Sequence, residues 1–117
     1  MTFRLAPDVL ELSYQRWCRL YPFRTKKMPD VDSLALKVTR HNDRHAHFEY
    51  NCGPFPNLSV SERHVKSLIE LDTAMAHECI HIFQWHNGMR PRTDHDAEFW
   101  RIARLICRAH NYDIRAF

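Results

Sequence analysis

At 117 residues, with two glycines and a formal net charge of +3, the chain suits one domain with a modest core and is too poor in glycine for a loop-rich or all-β architecture. No apolar run reaches the roughly 20 residues needed to cross a bilayer, and Met1 to Leu5 carries no secretion-signal run, so a cytoplasmic location is expected. Cys18, Cys52, Cys79 and Cys107 form no C-x-x-C pair, which speaks against a zinc ribbon and for reduced thiols.

A first helix is predicted over residues 8 to 21. Pro7 suits its start and Asp8 its first turn. Leu10, Tyr14, Trp17 and Tyr21 recur at helical spacing, and Pro22 stops the helix. Arg16, Arg19, Arg24, Lys26 and Lys27 make its end and the following loop basic, which reads as a solvated face before it reads as a phosphate-binding one. Residues 33 to 40 alternate as a half-buried strand, with Leu34, Leu36 and Val38 on one side. His41 to Arg44 has turn chemistry. Residues 45 to 51 alternate again, with Ala46, Phe48 and Tyr50 opposite His45, His47 and Glu49. The two strands are expected to form an antiparallel hairpin with a polar outer face. A loop, 51 to 57, leads to a short third strand at Leu58 to Ser61.

The central helix is expected over 67 to 87. Ser67-Leu68-Ile69-Glu70 has the form of a capping box, Leu68, Leu71, Met75 and Ile82 give broad apolar coverage, and Asn87-Gly88 ends it. Inside it lies His77-Glu78-Cys79-Ile80-His81, which fits H-E-x-x-H. Residues four apart share a helix face, so His77 and His81 can aim two imidazoles at one metal ion. Glu78 can then reach water at that metal without ligating it. Polar groups in so apolar a helix are costly unless paired, and a metal supplies the pairing.

A last helix is expected over 95 to 110, opened by Thr93-Asp94-His95-Asp96, with Thr93 and Asp96 as its cap and Phe99, Ile102, Ala103 and Ile106 as its stripe. A short loop implies that it returns antiparallel along the metal helix, so His95 is the expected third ligand. His86 points elsewhere around its helix, and Cys107 and His110 lie about three to four turns past His95, too far along to compete. Asp72, Asp94 and Glu98 are candidates to orient the histidines.

His77-Glu78-Cys79-Ile80-His81, then Phe83 to Gly88, then His95 with Phe99 four residues on, resembles the SprT-like zinc metallopeptidase domain of the Spartan proteases. The close match covers about residues 70 to 105. The resemblance implies a minigluzincin-like α+β fold, with an N-terminal helix, a small antiparallel or mixed sheet of about three strands, the H-E-x-x-H helix and a C-terminal helix. It implies His77, His81 and His95 as Zn²⁺ ligands and Glu78 as general base. It also implies DNA-bound or DNA-crosslinked proteins as substrates. DNA contact would fall to the basic loop at 24 to 27, to Arg90 and Arg92, or to a separate partner. The metzincin pattern H-E-x-x-H-x-x-G-x-x-H is absent, and Cys52 lacks the glycine-rich surroundings of the peptide deformylase cysteine.

The reading is a single-domain zinc endopeptidase that takes its protein substrate as an added strand, with low sequence selectivity. Two alternatives stand beside it: a catalytically silent, zinc-stabilised binding module, and a nucleic-acid-binding protein whose metal is incidental.

Overall fold

The first helix, α1 (Pro7–Cys18), starts on the proline because that residue needs no amide partner there. Its positions 10, 14 and 17 fall on one face, and Leu10, Tyr14 and Trp17 are almost fully buried. Tyr14 donates to the Pro29 carbonyl at 2.6 Å, and Trp17 Nε1 donates to the Asp72 carbonyl at 3.1 Å. The helix stops three residues earlier than Tyr21. The Arg19 N–H turns back to Arg16 O and the Leu20 N–H to Trp17 O, closing a tighter last turn, and Tyr21 is left exposed. The computed structural model describes residues 3–50, 53–89 and 93–117.

The sheet comprises β1 (Ala35–Thr39), β2 (Ala46–Glu49) and β3 (Asn57–Ser61), in the order β1-β3-β2. The expected hairpin is therefore not formed. β3 lies between β1 and β2, parallel to β1 (Leu36 opposite Leu58) and antiparallel to β2 (Phe48 opposite Leu58). The physical reason lies in β3: Leu58, Val60 and Ser61 have almost no exposed surface, and the most buried of the three strands lies in the middle. Alternation along β1 and β2 specifies which side chains face inward; it does not name the neighbouring strand. The connection between them is held open against β3, with Ser61 donating from Oγ to His41 O at 2.7 Å and from N to His45 O at 2.8 Å.

The long helix α2 (Leu68–His86) packs against α1, β2 and α3 (Ala97–His110). Its cap forms as expected: Ser67 Oγ accepts the Glu70 N–H at 3.2 Å, and Glu70 Oε1 accepts from Ser67 Oγ and from the Lys66 amide. At its far end Gly88 takes φ +72°, the Gly88 amide donates to Trp85 O, and the Met89 amide donates to Gln84 O. This is the Schellman arrangement, which glycine adopts without strain. Leu68 and Ile69 depart from the expected coverage and are 61% and 67% exposed. Gln84 near the end of α2 bonds Asp96 at the start of α3. Asp72 near the start of α2 and His110 at the end of α3 both meet Trp17. The two helices thus run antiparallel. No helix among the described residues is long and apolar enough to cross a membrane.

Candidate metal centre

Nine of the 19 residues of α2 are buried, so the helix is locked between sheet, α1 and α3 and cannot rotate to hide its polar side chains elsewhere. His77 and His81 project from it one turn apart, half-buried, with ring centroids 5.1 Å apart. His95 comes from the turn before α3, its ring 4.9 Å from His77 and 5.2 Å from His81. Candidate donor nitrogens of all three lie within 4.8 Å of one another. A tetrahedral metal with imidazole bonds of about 2.0–2.1 Å needs donors roughly 3.3 Å apart, a contraction within the range of small side-chain rotations. Among the described residues this is the one cluster able to hold a metal ion.

The turn carrying His95 is fixed differently from expectation. The α3 helix begins at Ala97, and its cap is Asp96 rather than Thr93. Asp96 Oδ1 accepts the Phe99 N–H and the Gln84 Nε2–H, both at 2.9 Å. Gln84 is 2% exposed. The last turn of α2 therefore grips the residue after His95, so one hydrogen bond couples the two ligand-bearing segments. Beneath them lies Phe99, fully buried, its centroid 4.9 Å from His77, 4.9 Å from His81 and 4.3 Å from His95. The sequence shows Phe99 as part of the stripe and Gln84 as one more helix residue. Their spacing from His95 and His81 is visible there, but their roles are not.

The competing ligands lie elsewhere. His86 is exposed beside Trp85, His110 packs on Trp17 with Nε2 2.6 Å from Tyr21 O, and Cys107 is buried with the α3 stripe. His47, 3.6 Å from Glu49, borders the cleft of the cluster but is not part of the group of three, and His45 packs on His64. Of the acids expected to orient histidines, Asp72 pairs with Arg16 and Glu98 with Arg101. Asp94 lines the cleft with His81 and His95, and its charge acts on both Glu78 and His81. Cys52, Arg90 and Arg92 fall outside the described residues, while Lys26 lies over the Phe83 ring.

Electrostatics sharpen the picture. Burial, then the neighbouring histidines, depress the His77 pKa to about 3. Burial and His95 depress His81 to about 4. Both rings are neutral at pH 7, which leaves nitrogen lone pairs free for a metal. Glu78 is 4% exposed, and burial, then Asp94, raise its pKa to about 8. Its approach to His77, 3.8 Å, is accordingly not an ion pair in the metal-free protein.

Glu78 also meets the sheet. The Phe48 backbone faces its carboxylate and works against burial, lowering the pKa. The Ser61-to-His45 bond sets the antiparallel phase, so residues 45 and 47 turn their backbone groups to β3 while 46 and 48 turn theirs outward. β2 is an edge strand, and this outward row runs beside the histidine cluster. Such a site can hold a metal ion with a carboxylate at its side, next to a strand edge ready to take an extended chain. Comparison with family models, with curated proteins and with solved structures returned no match.

Proposed function

We propose that the chain is a minigluzincin-like zinc endopeptidase of SprT-like type. The carrying observation is the meeting of His95 with the His77/His81 face of α2, beside a buried Glu78 held at the edge of β2. The residues fit zinc: three converging imidazoles are the donor set of catalytic zinc sites with an open fourth position. When bound, zinc would supply Lewis acidity, polarising a carbonyl and lowering the pKa of water towards neutrality.

The protein's own groups do the rest. An extended substrate pairs with the outward backbone groups of Ala46 and Phe48, which brings a peptide carbonyl over the cluster. Glu78 accepts the proton of the attacking water and passes it to the departing amine. The Asp96–Gln84 bond and the Phe99 ring hold His95 in register with the α2 pair. Burial keeps Glu78 basic enough to take a proton near neutral pH, and a bound cation restores its ionised form.

By the SprT-like resemblance, the substrates are proteins bound or crosslinked to DNA. The test is cleavage of a basic DNA-binding protein by the zinc-loaded protein, with and without single-stranded DNA, against Glu78→Gln. Cleavage that requires Glu78 and rises with DNA supports the whole reading. Cleavage indifferent to DNA keeps the peptidase and removes the DNA-linked substrate. Equal behaviour of parent and variant removes the peptidase, and salt-sensitive DNA binding that survives zinc removal would favour the nucleic-acid reading.

A further inference from the structure

The open edge of β2 leads into a cleft of about 610 Å³ on the His77 side of the cluster. We propose that this cleft is a side-chain subsite for a large apolar residue of the bound peptide, adjoining the bond to be cut; the proposal rests on the peptidase reading.

The cleft exists because small residues stand where large ones would close it. Ala46 and Phe48 occupy equivalent pleat positions on β2. Phe48 fills its place by packing on Trp85 at 5.8 Å. Ala46, two residues earlier, is too short to fill the equivalent space, and α2 lines the cleft with only Thr73 and Ala74 there. Phe117 forms one wall, stacked 5.9 Å from the His77 ring at 28°. Ile69 forms another, and it is 67% exposed.

The chemistry of the occupant follows from the lining. Apolar surface outweighs polar in this cleft. The charges at its rim are already engaged: Glu70 closes the α2 cap, and Arg115 pairs with Asp113 at 2.8 Å. Away from Glu78 the cleft is walled by Ala46, Ile69, Ala74 and Phe117, which suit an apolar side chain, and an apolar cavity of about 150 Å³ already suffices for a benzene ring. Its border includes His77 and Glu78 as well as Ala46, so a strand paired with Ala46 drops a side chain into it next to the reacting carbonyl. This predicts a sequence preference where strand addition alone would give little.

The test is binding, read by anisotropy of labelled hexapeptides on the zinc-loaded full chain carrying Glu78→Gln, with phenylalanine or glycine scanned through each position. One position should favour phenylalanine by roughly 10- to 100-fold, the worth of burying such a side chain. Adding Ala46→Phe should collapse that ratio below about threefold. Ile69→Ser, on an exposed residue that the fold does not need, should narrow it too. A ratio near one at every position, or a ratio untouched by both substitutions, overturns the subsite. Position-specific preference without any cleavage by the zinc-loaded parent would support the subsite and defeat the peptidase reading.

Discussion

Replacing Glu78 by glutamine should stabilise the metal-free protein, and only at neutral to alkaline pH. The carboxyl is 4% exposed and burial raises its pKa from 4.5 to about 8. Below pH 4.5 it is protonated in folded and unfolded chains alike and costs nothing. Between pH 4.5 and 8 the folded chain holds a proton that the unfolded chain has released, so stability falls as pH rises. Above pH 8 the full cost applies. Each pKa unit is worth about 1.4 kcal/mol, which sets a ceiling of about 5 kcal/mol; with relaxation and water entry, about 2–5 kcal/mol is expected. Glutamine keeps the shape but never ionises. The assay is thermal unfolding by circular dichroism in chelator at pH 5, 7 and 9. The variant should match its parent at pH 5 and exceed it at pH 9 by roughly 8–20 °C, at about 4 °C per kcal/mol. The rise in stability that His77 and His81 give as they lose protons above pH 3–4 is common to both proteins and cancels. Zinc should shrink the gain, because a cation beside Glu78 favours its charged form. A difference that stays flat from pH 5 to 9 would refute the reasoning.

Three further outcomes follow from the geometry. His95→Ala should lower zinc affinity by at least about 100-fold in a chelator competition, since two imidazoles make a poor site; a variant that still holds one full equivalent would remove His95 as a ligand. Gly88→Ala should cost about 1 kcal/mol in urea unfolding, through the +72° φ alone, because nothing lies within 4 Å of the added methyl. Asp96→Ala should cost about 1–3 kcal/mol, more than the 0.5–2 kcal/mol of a simple cap such as Ser67, because it also strips Gln84 of a buried partner; equal losses for Asp96→Ala and Ser67→Ala would sever the proposed link between the two helices.

The parts of this molecule legible in its sequence are those written in local spacing. The i, i+4 histidines, the Ser67 box, the Asn87-Gly88 stop and the α3 stripe each depend on residues within one or two turns, and the three helices form close to where these signals place them. His95 was legible too, because so short a connection leaves α3 little choice but to return along α2. The neighbour relations of the strands were not. β1 and β2 both alternate, and alternation is silent on whether they pair with each other or with β3. Only the apolar character of Leu58 and Val60 hinted at a central strand. The Asp96–Gln84 clamp was hidden because it joins residues 12 apart through side chains that each look ordinary. The same holds for Glu78 and Phe48: the acid was visible, while the backbone that faces it depends on β2 being an edge.

The most direct test of the central claim is a zinc titration of peptide hydrolysis. Metal-free protein is given increasing zinc, and cleavage of a quenched, apolar-rich peptide is followed beside direct metal binding. The rate should rise to a break at one equivalent, while Glu78→Gln binds zinc as tightly and is slower by about 10²–10⁴-fold. Turnover that persists in that variant, or that ignores zinc, would contradict the account.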